Sequence, residues 1–162
     1  MRRGAGGGIY NRLGTARVTN STFANNGAAD GAAVYKFAGQ LTLKNTILAN
    51  SPSDGNCGGI GPIFDLGHNL DSGGRCRFRL SRGSFSNLDP KLDPAGPANN
   101  GGATQTIAVQ AGSPAINAGS PSACRAAAAK NLDQRGFVRP GTGSTTCTIG
   151  AYEFNSPGPR TR

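Results

Sequence analysis

Tryptophan is absent from this 162-residue chain, and aromatic residues make up only 6% of it. Acidic residues are also scarce, eight against seventeen Lys and Arg, and there is a single histidine. No stretch approaches the roughly 18 apolar residues that a membrane-spanning helix requires. The first ten residues, MRRGAGGGIY, are basic but lack the apolar run of a secretory signal peptide. The sequence therefore predicts no membrane span, and its start does not read as a signal peptide.

Glycine and proline are abundant instead, with 26 and 10 residues. Both residues interrupt helices and mark turns, so this composition favours one domain built from many short strands. AAAAK at 126–130 is the only clear helix-forming run, and it is too short to be a stable helix alone. The predicted fold class is therefore all-β.

The formal net charge of +9 is carried mostly by arginine and favours anionic partners. Anionic glycans and cell-wall polymers fit this charge. Nucleic acid is not expected, because aromatics are few and none is interleaved with the basic residues as a stacking platform. RCRFRLSRG, residues 75–83, alternates arginine with Cys76, Phe78 and Leu80, which predicts a half-buried strand with a basic outer face. The candidate anionic-ligand patch consists of Arg75, Arg77, Arg79 and Arg82.

The chain has four cysteines, Cys57, Cys76, Cys124 and Cys147. Their spacing lacks the tight C-x-x-C pairs of metal sites, so no metal is predicted. An even count without metal spacing favours two disulfides and an oxidising compartment, and the alternative is four buried thiols in a cytosolic protein. Three connectivities are open, and we favour the sequence-local one, Cys57–Cys76 with Cys124–Cys147.

One stretch of the sequence is repeated. GGGIYNRLGTARVTNSTFANN (6–26) aligns without a gap with GAAVYKFAGQLTLKNTILANS (31–51), at a spacing of 25 residues. Tyr10 meets Tyr35, several Gly and Asn positions are identical, and apolar residues meet apolar residues. A fixed period of this length is typical of repeat architectures, in which each copy is one structural unit.

Each unit contains three short extended segments separated by Gly or Asn. They are 8–11, 16–19 and 22–24 in the first unit, and 33–37, 41–44 and 47–49 in the second. Strands this short are unstable alone, but in a coiled chain each can pair in parallel with its counterpart one turn on. The predicted fold is a right-handed parallel β-helix, a solenoid with about 25 residues per rung.

Asparagine is expected to form ladders at the corners of this coil, because it tolerates left-handed backbone and its amide can bond to the Asn above. Two structural ladders are predicted, Asn20 with Asn45 and Asn25 with Asn50. Residues 61–74 are predicted to form a third rung, in which Asn69 falls one residue short of the register set by Asn45.

The domain organisation follows from composition. Residues 1–88 are predicted to be β-helix rungs, and a connection rich in Pro, Gly and Asn begins at residue 89. Residues 89–154 are predicted to be an irregular C-terminal closing segment of the same domain. Residues 155–162 are predicted to be a disordered tail.

From residue 43 onward the chain carries LKNTILANS, DLGHNLDSGGRC, LDPKLDP, NNGGATQTIAVQAGSPAINAG, DQRGFVRP and CTIGAYEF in this order. With these motifs it resembles bacterial surface proteins of the choice-of-anchor Q type, parallel β-helix proteins of the pectin-lyase-like architecture. The resemblance implies an extracellular or cell-surface β-helix whose C-terminal segment closes the solenoid. It supports the sequence-local cysteine pairing and implies no established enzymatic activity. Asn117 and Thr148 stand where the family pattern has an acidic residue, which argues against a shared carboxylate site.

Pectate lyases and polygalacturonases share this architecture, so a carbohydrate-active enzyme is the alternative. Glycoside hydrolysis needs two carboxylates on either side of one bond. Stacking brings only Asp30 and Asp54 together, and both lie in Gly-rich turns where Asp is common for turn chemistry alone. His68 lacks a nucleophile motif, so we expect it to pack, and Asp133 with Arg135 is expected to form a local ion pair or backbone cap. No catalytic residue and no cofactor are predicted.

The sequence thus predicts a secreted or cell-surface protein with a structural, adhesive or glycan-contacting role, and a polysaccharide lyase or glycoside hydrolase as the alternative. Its first residues already resemble a rung in the middle of a solenoid. An uncapped rung exposes backbone groups and apolar edges. Either the chain is part of a longer secreted protein, which we favour, or this rung stacks on another β-helix.

Overall fold

The computed structural model describes residues 4–51 and 55–160. In these residues the chain forms ten short strands, one short α-helix and one 3-10 helix. The first two units contain β1 (Ile9–Asn11), β2 (Thr15–Thr19), β3 (Thr22–Ala24), β4 (Val34–Lys36), β5 (Gln40–Lys44) and β6 (Ile47–Ala49). The later strands are β7 (Cys57–Gly59), β8 (Phe64–Asp65), β9 (Leu70–Asp71) and β10 (Phe85–Ser86). All six strands expected from the repeat are present, each within a residue of its predicted ends.

The described strands pair in parallel and form three sheets. The first sheet is β1-β4-β7, the second is β2-β5-β8, and the third is β3-β6-β9-β10. Each strand of the first two units bonds to its counterpart in the next unit. Ile9 pairs with Val34 at the predicted spacing of 25 residues, whereas Val34 pairs with Cys57 only 23 residues on. The fold is all-β with parallel pairing, and the sequence repeat sets its register.

The two central strands of the third sheet, β6 and β9, are buried, and their side chains alternate between its two faces. Phe23 and Leu48 point to an inner core that the other two sheets share. Ile47 and Leu70 belong to a second core on the opposite face. Burial on both faces accounts for the unbroken apolar sequence of β6, since neither side of this strand meets solvent.

The third unit is shorter and begins at β7, before residues 61–74 that the sequence assigns to it. Asn20 and Asn45 have positive φ angles of 52° and 53°, and the matching corner of the third unit is taken by His68, with a φ of 55°. Asn69 lies one position further along, beside Thr46, whose N–H donates to the Asn69 Oδ1 at 3.0 Å. The loss of two residues from the turns therefore shifts the ladder position from asparagine to histidine.

Residues 75–83 do not form the predicted strand. Arg77 has a positive φ of 54°, which interrupts the extended backbone, and a 3-10 helix of three residues follows. Cys76 and Phe78 are buried as the alternation predicts, but Leu80 is 73% exposed. The segment crosses the end of the stacked strands instead of extending a sheet, so only its first half faces the core.

Residues 89–154, the closing segment, pack along the outer face of the third sheet. Val109, Ala115 and Ile149 join Ile47 in the second core. The family resemblance implies a segment that closes the solenoid. In the structure this segment covers a side of the strand stack, whereas the segment around Phe78 covers its end.

The α-helix, α1 (Pro121–Arg125), precedes the run at 126–130 that the sequence identifies as helix-forming. Its N-terminus is capped by Ser120, whose Oγ accepts the Ala123 N–H at 3.3 Å. Ala123 is buried, whereas the alanines after the helix are mostly exposed and form turns. Without packing, a run of this length cannot offset the cost of nucleating a helix.

Residues 155–160, which the sequence assigns to a disordered tail, are instead tied to the closing segment. The Ser156 Oγ donates to the Val138 carbonyl at 2.8 Å, and the Val138 N–H donates to the Gly158 carbonyl at 2.9 Å. These bonds give the backbone of residues 155–160 polar partners in the closing segment.

A candidate anion-binding groove

Two apolar columns of the inner core end in carboxylates. In parallel register, Leu43 is followed by Asp65, and Leu48 is followed by Asp71. A buried carboxylate is tolerated only when its oxygens accept hydrogen bonds. The two aspartates therefore mark the point at which side-chain and main-chain hydrogen bonds replace the stacking of apolar residues.

Main-chain N–H groups of the segment that crosses the end of the strands supply several of these bonds. The Asp71 Oδ1 accepts the Gly73 N–H at 3.0 Å, and its Oδ2 accepts the Cys76 N–H at 3.1 Å. The Asp65 Oδ2 accepts the Arg79 N–H at 3.1 Å. The carboxylates thereby hold this segment across the end of the inner core.

Two further contacts fasten the same segment. The disulfide Cys57–Cys76 joins it to β7, in the connectivity that the sequence favours. Phe78, only 7% exposed, packs into the inner core. Because Cys76 and Phe78 point inward, the arginines between and after them point to solvent. All four residues of the predicted patch are exposed, namely Arg75, Arg77, Arg79 and Arg82.

A groove of about 720 Å³ lies between this arginine-bearing segment and residues 58–66. All four arginines line it, together with Asp30 and Asp65. Gly58 forms part of its floor, and a Cβ at this position would collide with the Asp30 carboxylate. The close approach of the two turns therefore requires glycine here.

Positive charge dominates the groove, because four arginines line it against two carboxylates, and both carboxylates already have partners in the chain. Asp30 lies 3.8 Å from the Arg75 guanidinium and accepts the Gly59 N–H at 3.3 Å. The Asp65 carboxylate accepts hydrogen bonds from four donors of the chain. Arg82 donates to the main-chain carbonyl of Asp65 at 2.8 Å. Four guanidinium groups facing two aspartates leave an excess of positive charge.

The opposite wall of the groove is apolar. Phe64 and Leu66 both line it and are 43% and 51% exposed. An exposed aromatic ring beside guanidinium groups can contact a flat apolar surface while the cations bind its anionic substituents. The groove can therefore hold a ligand that is anionic on one side and partly apolar on the other.

The carboxylate pair considered for catalysis is only partly described. Asp30 lies at the edge of the groove in its ion pair with Arg75. Asp54 lies outside the described residues. Asp65 is the other acidic residue of the groove, but its bonds to the surrounding chain give it a structural role. The sequence analysis did not identify Asp65 or Phe64. Asp65 could have been found by aligning the shortened third unit with the second, which places Asp65 at the position of the apolar Leu43.

The other singled-out polar residues have structural partners. The Asn45 Nδ2 donates to the Asn20 Oδ1 at 2.6 Å, and its Oδ1 accepts the Ser120 N–H at 2.9 Å, which links this ladder to the closing segment. Asn25 and Asn50 share positive φ angles of 56° and 55°. Next to this corner, the Asn25 N–H donates to the Ala49 carbonyl at 3.1 Å, so the main chain joins the two units there.

His68 and the second disulfide lie outside the groove. The His68 Nδ1 is 2.9 Å from the Ala118 carbonyl, a contact with the closing segment. The second disulfide, Cys124–Cys147, fastens α1 to a later part of that segment. Over residues 4–51 and 55–160, no three His, Cys, Asp or Glu side chains converge as metal ligands would. In the same ranges, no helix is long and apolar enough to cross a membrane.

Asp71 is expected to make the stability of the fold depend on pH. Burial raises the pKa of Asp71 above its ordinary value of 3.8, against the opposing hydrogen bonds from Asn56, Gly73 and Cys76. A raised folded-state pKa contributes stability below about 3.8 that is lost as the pH rises through the folded-state value. The free energy of unfolding of the wild type, minus that of Asp71→Asn, should therefore decrease as the pH rises. Urea unfolding at a series of pH values measures this difference, and an increase with pH would contradict a raised pKa.

No family model, curated protein or solved structure matches the chain. The chemistry of the groove is therefore the guide to what the chain binds.

Proposed function

We propose that this chain is a right-handed parallel β-helix of a secreted or cell-surface protein, which contacts anionic glycans or cell-wall polymers without catalysing their cleavage. The order of the three sheets and the constant spacing of the first two units support the β-helix. The motif resemblance to choice-of-anchor Q proteins supports the same architecture. Two disulfides are compatible with an oxidising, extracellular location.

The observation that carries the binding function is the groove with four arginines on one wall and Phe64 on the other. Guanidinium groups bind carboxylates and sulfates through paired N–H donors, and these charge-assisted bonds are stronger than neutral ones. A sugar ring has an apolar face that can lie against Phe64 while its acidic substituent faces the arginines. A polymer of uronic acids combines both features in every residue, so polygalacturonate is a suitable probe.

We expect the wild type to bind polygalacturonate and not neutral dextran. The double variant Arg77→Ala/Arg79→Ala should lose about tenfold in affinity, because an exposed charge pair contributes up to about 1 kcal/mol and a loss of about 1.4 kcal/mol is tenfold. Arg12→Ala/Arg17→Ala is the matched control, since it removes the same charge from exposed positions outside the groove. Titration calorimetry at low and moderate salt measures both affinities.

Equal losses in the two double variants would mean attraction by net charge alone and would overturn the groove as the site. Unsaturated products or new reducing ends released from polygalacturonate would instead favour the enzyme alternative. In that case the activity of Asp30→Ala and Asp54→Ala would test the predicted carboxylate pair.

A further inference from the structure

A row of exposed apolar side chains follows one edge of the strand stack. Leu13, Phe37 and Ile60 lie in the turns that connect the first sheet to the second, and all three are exposed. Phe64 and Leu66 continue the row onto the second sheet. These five residues are called the apolar ridge. Scattered apolar residues are normal on a surface, but a contiguous group marks an interaction site.

Parallel register makes the ridge contiguous. The Phe37 N–H donates to the Asn11 carbonyl at 2.8 Å, and the Ile60 N–H donates to the Lys36 carbonyl at 2.8 Å. These bonds stack the turn of each unit directly on that of the unit before. Neighbouring strands lie about 4.8 Å apart, so Phe37 and Ile60, which occupy matching positions, are within contact distance. Leu13 matches Ala38 and lies one position along the turn from them.

The second sheet extends the ridge because of its own register. Thr42 pairs with Phe64, and Leu43 pairs with Asp65. Leu43 belongs to the inner core, so Phe64 points to the outer face, and Leu66, two positions on, shares that face. The exposed wall of the groove and the exposed turns thus form one surface.

The same face is basic. The outward positions of β2 and β5 are Thr15, Arg17, Thr19, Gln40, Thr42 and Lys44, and none of these is acidic. Thr42 is buried and Lys44 half-buried, so the exposed cation of these strands is Arg17. Arg12 lies in the first turn of the ridge, and Arg79 and Arg82 stand at its far end. Apolar side chains flanked by cations on one face are the combination that binds anionic membrane interfaces.

We propose that the apolar ridge and its basic flanks dock this face on an anionic lipid surface. The apolar side chains enter the headgroup region, while the exposed Arg12 and Arg17 lie over the lipid phosphates. A hydrated polysaccharide would use the arginines but has no need for Leu13, Phe37 and Ile60, which lie outside the groove. This inference rests on the ridge and does not depend on glycan binding.

Co-sedimentation with vesicles tests the proposal. The wild type should bind vesicles that contain phosphatidylglycerol far better than vesicles of phosphatidylcholine alone, and added salt should weaken binding. Phe37→Ser/Ile60→Ser should reduce vesicle binding about tenfold or more, because it removes two apolar side chains from the interface. Leu88→Ser, at another exposed leucine outside the ridge, is the matched control and should bind as the wild type does.

The polygalacturonate affinity of the ridge variant provides an independent readout, since neither of its positions lines the groove. Retained glycan binding with lost vesicle binding would support both sites. No binding of the wild type to phosphatidylglycerol vesicles would overturn the lipid proposal and leave the glycan proposal intact. A ridge variant that changes the oligomeric state but binds vesicles normally would also overturn it, because a second copy would then be the occupant of the ridge.

Discussion

Replacing Glu153 by alanine is expected to lower the free energy of unfolding by about 3–5 kcal/mol, because it removes the carboxylate that contacts the buried Arg139 guanidinium. The Arg139 guanidinium lies 3.5 Å from the Glu153 carboxylate, and both side chains are 1% exposed. The carboxylate also accepts the Gly141 N–H and the Thr148 N–H, each at 2.9 Å. Truncation to alanine removes the acceptor of all these donors at once. Urea unfolding with both disulfides intact measures the loss.

A double replacement, Glu153→Leu with Arg139→Met, separates the charge from the packing. Burial raises the pKa of Glu153 and lowers the pKa of Arg139, which means that desolvation outweighs the attraction between them. A buried ion pair of this kind is costly to break but is not necessarily better than an apolar pair. The double variant should therefore regain part of the stability that Glu153→Ala loses. A double variant less stable than Glu153→Ala would show that the pair itself stabilises the closing segment.

The ion pair predicted from the sequence, Asp133 with Arg135, is also buried. Asp133 and Arg135 lie 2.7 Å apart with side chains 0% and 5% exposed, and Arg135 stacks between Phe137 and Tyr152. The DQRG motif was therefore sufficient to predict the local pair. Its aromatic neighbours come from contacts distant in sequence, which the motif does not contain.

Strand positions could be predicted from the sequence because two units repeat without a gap. A residue that must stack on its counterpart leaves a matched pair, such as Tyr10 and Tyr35, whose rings lie 5.1 Å apart and nearly parallel. The shorter third unit has no such match, and His68 replaces asparagine at its corner. The repeat therefore predicts structure only as far as its spacing is kept.

The arginines of the groove could be predicted from the sequence, but the residues of its opposite wall could not. Clustering of arginine in a short segment is visible without any fold, so all four cations could be named. The opposite wall of the groove contains Phe64 and Asp65. Their positions depend on the register of the shortened third unit, in which Phe64 pairs with Thr42 and Asp65 pairs with Leu43. The role of the segment itself also escaped prediction, because alternation at Cys76 and Phe78 is common to a strand and to a chain that crosses a core.

Phe78→Ala provides the sharpest test of that crossing segment. Phe78 is 7% exposed and packs into the inner core, so its truncation should lower the free energy of unfolding by about 3–5 kcal/mol. Leu80→Ala is the matched control, two positions further along. In the predicted strand both side chains would face the core and both truncations would be costly. In the structure Leu80 is 73% exposed, so its truncation should change stability by no more than about 0.5 kcal/mol.

The same two variants connect the core to the groove. Phe78 lies between Arg77 and Arg79 in the chain, so loss of its packing should loosen both arginines without removing either charge. We expect Phe78→Ala to weaken polygalacturonate binding under conditions where it remains folded, and Leu80→Ala to leave binding unchanged. Comparable losses of stability in the two variants would restore the strand and overturn the crossing segment. If Phe78→Ala is destabilised but binds polygalacturonate with full affinity, binding does not require that the segment hold the arginines in place. Attraction by net charge would then explain the binding.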